Sequence, residues 1–69
     1  MRKPIPDLSR PEIETLIDLW IFSERDRAVL KRRLLDGIVF EQLGEEFHLS
    51  TQAVKKIVYK SLDRLYAHI

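Results

Sequence analysis

Residues 40–66 read FEQLGEEFHLSTQAVKKIVYKSLDRLY, and the spacing predicts two helices joined by a tight turn. Apolar residues fall at Leu43, Phe47, Leu49, Val54 and Ile57. The small Gly44 stands where two helices would cross closely, and Ser50-Thr51-Gln52 is a polar opening for the second helix. A helix-turn-helix of the DNA-binding kind needs those slots filled: bulky residues before and after the crossing, a small one at it, and a hydrophobe closing the turn. The second helix then presents Thr51, Gln52, Lys55, Lys56, Tyr59 and Lys60 on one face and buries Val54, Ile57, Val58, Ser61, Leu62 and Leu65 on the other. His48 occupies the turn, where a left-handed backbone is uncommon without glycine but histidine is enriched. A metal ligand or pH switch is the functional alternative for His48, yet no second ligand lies at helical spacing and His68 stands alone near the C-terminus.

Upstream of this stretch, Ser23-Glu24-Arg25-Asp26 reads as a helix start, with Ser23 as cap and acidic residues where the helix dipole favours them. That helix runs to about Leu35, pointing Val29, Leu30 and Leu34 inward and Arg25, Arg32 and Arg33 outward. Asp36-Gly37 ends it, and Ile38-Val39 links it to the next helix, whose outer face, Glu41, Glu45 and Glu46, is acidic. Earlier still, Ser9-Arg10-Pro11-Glu12 combines a serine cap, a first-turn proline and a glutamate that closes a capping box. From there Ile13, Leu16, Ile17, Trp20 and Ile21 form a helical stripe facing the core. Leu19 and Phe22 lie outside it; they either widen the buried face, which is the favoured reading, or mark a contact with another chain. Residues 1–8, with two prolines, read as an extended arm.

The expected architecture is therefore all-α: the arm at 1–8, then one small four-helix domain over 9–69. Its helices lie at about 10–22, 24–35, 40–47 and 51–67, the last two forming a C-terminal helix-turn-helix. Sixty-nine residues make at most one domain with a limited core, too small for a sizeable catalytic pocket. There is no nucleophile beside a base, no metal-ligand cluster and no glycine-rich phosphate loop, so no enzyme activity and no cofactor are expected. The lack of cysteine fits a cytoplasmic location. No apolar run is long enough to span a membrane, and the N-terminus lacks the apolar segment of a signal peptide. The net charge of +1 hides an uneven distribution: −1 over residues 1–23, +2 over 24–36, −3 over 37–49 and +3 over 50–69. Basic charge thus gathers in the last helix, and the local field matters more than the total.

A helix that enters the major groove N-terminal end foremost brings its first two turns closest to base edges. Gln52 is the candidate for reading adenine, whose edge offers one donor and one acceptor. Thr51 can meet a thymine methyl or a phosphate, Lys55 a guanine or the backbone, and Lys56 and Lys60 phosphates. Tyr59 is a further candidate, either for a hydrogen bond to a phosphate or for packing at an interface. Ser50 and the N–H groups beside it can clamp a phosphate, and Arg33, with Arg25 and Arg32, is a candidate contact to the DNA backbone or to polymerase. The bland alternatives are an amphipathic surface helix kept soluble by its lysines and a solvated charged face on the second helix.

From about Ser23 to Leu65 the chain resembles the fourth conserved region of bacterial sigma factors, the domain that recognises the upstream promoter element. The likeness lies in SERDRAVLKRRLLDG and in VFEQLGEEFHLSTQAVKKIVYKSLDRL. Glu41, Gly44, Phe47, Val54, Ile57, Lys60, Leu62 and Leu65 stand where that family has the same or a similar residue. Where housekeeping members carry charged base-reading residues, this chain has Thr51, Gln52 and Ala53, while Lys55 and Lys56 keep the family's basic or polar character. The resemblance therefore implies DNA binding but not the family's usual promoter element. Sixty-nine residues leave no room for the segment that melts the downstream element, so a complete sigma factor of the ordinary kind is not expected. Two functions follow as expectations. The first is a sequence-specific regulator of transcription that binds double-stranded DNA as a homodimer on an inverted repeat. The second is a stand-alone module that binds RNA polymerase or an anti-sigma-type partner.

Overall fold

Serine starts three of the four helices. The computed structural model describes residues 8–68 and contains α1 (Arg10–Trp20), α2 (Glu24–Asp36), α3 (Phe40–Phe47) and α4 (Thr51–Tyr66). At α1 the capping box is complete: Ser9 Oγ accepts from the Glu12 N–H, and the Glu12 carboxylate accepts from the Ser9 N–H. The Ser9 hydroxyl also donates to the Glu12 carboxylate at 2.8 Å, and this bond, with the one from the Ser9 N–H, holds the Glu12 carboxyl below the usual range. Ser23 Oγ accepts from Asp26 N–H to start α2, and Ser50 Oγ from Ala53 N–H at 3.1 Å to start α4. The expected arm at 1–8 lies, up to residue 7, outside the described residues.

Helix α1 stops at Trp20, two residues before the expected end at Phe22. The reason is local: Ser23 must already be extended to cap α2, so Ile21 and Phe22 form the link. Arg27 Nη1 donates to the released Ile21 carbonyl at 2.9 Å. Phe22 consequently leaves the helix and is 68% exposed, and Leu19 is 57% exposed. Neither widens the core, contrary to the favoured reading. Helix α2 extends to Asp36, and Gly37 follows in the left-handed conformation at φ 68°, while α4 ends at Tyr66, one residue earlier than expected.

The core is made by Ile17, Ile21, Val29, Leu30, Leu43, Val54, Val58, Leu62 and Leu65, with Ile13, Leu16, Trp20, Leu34, Phe47, Leu49 and Ile57 packed partly against it. Burying one such aliphatic side chain is worth about 1.5–3 kcal/mol, so α4, which supplies four of the nine, is the element the others close upon. It packs against α1, α2 and α3 alike. The α3–α4 crossing depends on Gly44, where a Cβ would lie 2.6 Å from the Leu49 carbonyl oxygen. His48 takes φ 58° and ψ 44°, the left-handed turn anticipated for it. Past the end of α4, the His68 ring stacks on Trp20 at a centroid distance of 3.6 Å. No helix among the described residues is long and apolar enough to cross a membrane.

Candidate nucleic-acid interface

The N-terminal end of α4 is set by the His48 turn and the Ser50 cap, which fix how the helix leaves α3 and, among the described residues, leave one side exposed. Val54, Val58, Ser61, Leu62 and Leu65 line its buried side, whereas Gln52, Lys56, Tyr59 and Lys60 are exposed. Ser50 is exposed at the cap, and Thr51 and Lys55 are half-buried at the margin. Seven of the eight residues singled out from the sequence thus lie along one helix and its cap. Within the described residues, Lys56 and Lys60 make no ion pair.

Arg33, the eighth, comes from α2 and is already engaged. Its Nη1 donates to the Ile38 carbonyl at 3.0 Å, and its guanidinium carbon lies 4.2 Å from the centre of the Phe40 ring. The other α2 cations are engaged similarly. Arg25 meets Asp26 at 3.3 Å, Lys31 meets Asp18 at 2.8 Å, and Arg32 meets Glu46 at 2.7 Å and Asp36 at 3.0 Å. Helical spacing alone points Arg32 and Arg33 outward as open charges; instead they tie α2 to α3 and to the α2–α3 link, because each has an acceptor within a side chain's reach. Glu46 is thereby drawn from the acidic outer face of α3 toward α2, and Arg32 holds its carboxyl below the ordinary range. Among the described residues, the uncommitted positive charge is left on α4.

Two residues at this surface were not singled out from the sequence. Arg64 is exposed, with its guanidinium 5.2 Å from the Phe22 ring centre. It follows Lys60 by four residues, a helical spacing that could have flagged it. Phe40 gathers Arg33, Lys55 and Tyr59 around its ring, and no spacing rule links residues so far apart in the chain.

Four helices closed by a helix-turn-helix, whose second helix exposes a basic side, define a small all-α domain of the helix-turn-helix class. The chain belongs to the Sigma-70, region 4 family, which matches it over residues 22–67, more than half its length. No curated protein and no solved structure matches it.

Proposed function

We propose that this protein is a sequence-specific regulator of transcription that binds double-stranded DNA by laying α4 in the major groove, as a homodimer on an inverted repeat. The observation that carries this reading is the division of α4 into a buried apolar side and an exposed side bearing Gln52, Lys56, Tyr59 and Lys60, with the α2 cations committed elsewhere. Gln52 reads a base edge. Lys55 lies next to it on the margin, and Lys56, Lys60 and the Ser50 cap hold phosphates. A single domain of this size makes few base contacts, so two half-sites are needed for useful affinity. The exposed Leu19 and Phe22 supply an apolar surface for the second subunit.

In vitro selection of bound duplexes followed by mobility-shift titration tests the reading. A palindromic motif should be enriched. Replacing Lys55, Lys56 and Lys60 together by alanine should weaken binding and make the salt slope, measured at low salt, shallower by about 0.9 for each phosphate that is no longer neutralised. Unchanged binding by the triple variant would refute the role given to α4. A monomer in sedimentation at micromolar concentration, with and without DNA, would remove the dimer.

One observation favours a second reading. A shallow groove along α1, lined by Leu8, Pro11, Glu12, Thr15 and Leu16, adds to Leu19 and Phe22 an apolar surface suited to a protein. The family membership then points to RNA polymerase or an anti-sigma-type partner. Pull-down of core polymerase in the absence of DNA separates this module from the dimeric regulator.

A further inference from the structure

We propose that Phe40 is the positioning residue of the α4 surface: its ring sets where the Lys55 ammonium rests and withholds Arg33 from the interface. The inference rests on the reading of α4 as a DNA-binding helix. Phe40 is the first residue of α3, half-buried against the core, so its ring is anchored by the start of α3 and by the core it packs on. Three side chains converge on it. The Arg33 guanidinium lies 4.2 Å from the ring centre and also donates to the Ile38 carbonyl, the Lys55 ammonium lies at 5.9 Å, and the Tyr59 ring meets it edge-on at 6.0 Å and 76°.

These distances separate two roles. At 4.2 Å, with a hydrogen bond besides, Arg33 is fixed in the link. At 5.9 Å, Lys55 sits near the outer limit at which a ring attracts a cation, so it is biased toward one place and remains able to move onto a base or phosphate. A lysine restricted before binding loses less rotamer freedom on binding. Tyr59, one turn beyond Lys55 on the same helix, meets the ring edge-on and adds to the cluster. Phe40 thus acts on DNA through Lys55 without touching it.

Proton NMR of the free protein tests the placement without any DNA. The ε-methylene protons of Lys55 and the δ-methylene protons of Arg33 should be shifted upfield by the Phe40 ring, and in Phe40→Leu both should return to ordinary positions. In titrations with the selected duplex, Phe40→Leu should weaken binding about two- to fivefold, Phe40→Tyr should restore it, and Phe40→Leu combined with Lys55→Ala should bind no worse than Lys55→Ala alone. Ordinary Lys55 shifts in the wild-type protein, or losses from the two substitutions that multiply, would overturn the proposal. Should Phe40→Leu not fold, the wild-type shifts and the Phe40→Tyr titration decide it by themselves. Wild-type protein that retains no duplex would refute the DNA reading instead, and the methylene shifts would still decide where Lys55 sits.

Discussion

Gly44 and His48 make the α3–α4 turn in opposite ways. Gly44 is there because the Leu49 carbonyl occupies the space a side chain would need, whereas His48 keeps its side chain in a left-handed conformation. That conformation costs a residue with a Cβ about 1–2 kcal/mol, and glycine costs about 0.5–1 kcal/mol through the freedom it loses on folding. The first term is the larger, so His48→Gly should stabilise the domain by about 0.5–1 kcal/mol, raising the thermal midpoint by a few degrees in a chain of this size. A lower midpoint would mean that the imidazole makes a contact worth more than the backbone strain. Both residues were legible in the sequence, because a small residue at a crossing and a polar one in a turn answer to backbone geometry alone. Arg33 and Phe40 were not. Where a long cation settles depends on which carbonyl and which ring the fold brings near, and periodicity carries no information about either.

Among the helices, α3 is the odd one. Its cap, Val39, has the same extended backbone, φ −70° and ψ 154°, as the serines that cap α1 and α4, but provides no side-chain acceptor. Val39→Ser therefore needs no change of path, and because Val39 is 52% exposed it sacrifices little buried surface. The substitution should add about 0.5–2 kcal/mol to stability, read as a higher denaturant midpoint with unchanged slope. An unmoved midpoint would show that the N–H groups of the first turn of α3 are already satisfied without a cap. The helices themselves were well marked in the sequence, since serine caps, a first-turn proline and Gly37 are local signals. The end of α1 was not, because Ile21 and Phe22 continue an apolar helical pattern while the cap of the next helix demands an extended chain. That demand, rather than hydrophobicity, turned Phe22 outward.

Across the whole molecule, a chain of exposed ion pairs joins three helices: Arg10 of α1 to Asp36 of α2, Asp36 to Arg32, and Arg32 to Glu46 of α3. Hydrogen bonds from Arg32 hold both carboxyls below their ordinary values of 3.8 and 4.5 and push the Arg32 guanidinium further up. Carboxyls more acidic in the folded than in the unfolded chain lend stability that is complete above their unfolded values and is lost as the pH falls through the folded ones. The thermal midpoint should accordingly decline between about pH 5 and about pH 2. The decline should be gentler in high salt, which screens exposed pairs. Arg32→Gln should flatten this acid limb while lowering the midpoint at neutral pH; an acid limb identical to that of the wild type would exclude the network as its source.

The stacked pair at the end of α4 has a practical corollary. The sequence contains one indole, and it lies under the His68 ring, so the intrinsic fluorescence of the protein reports on one spot, the docking of the carboxyl-terminal turn onto α1. Appendages joined at that end would register in the emission spectrum before the hydrophobic interior felt them. A label placed there would disturb the very signal it was meant to supplement.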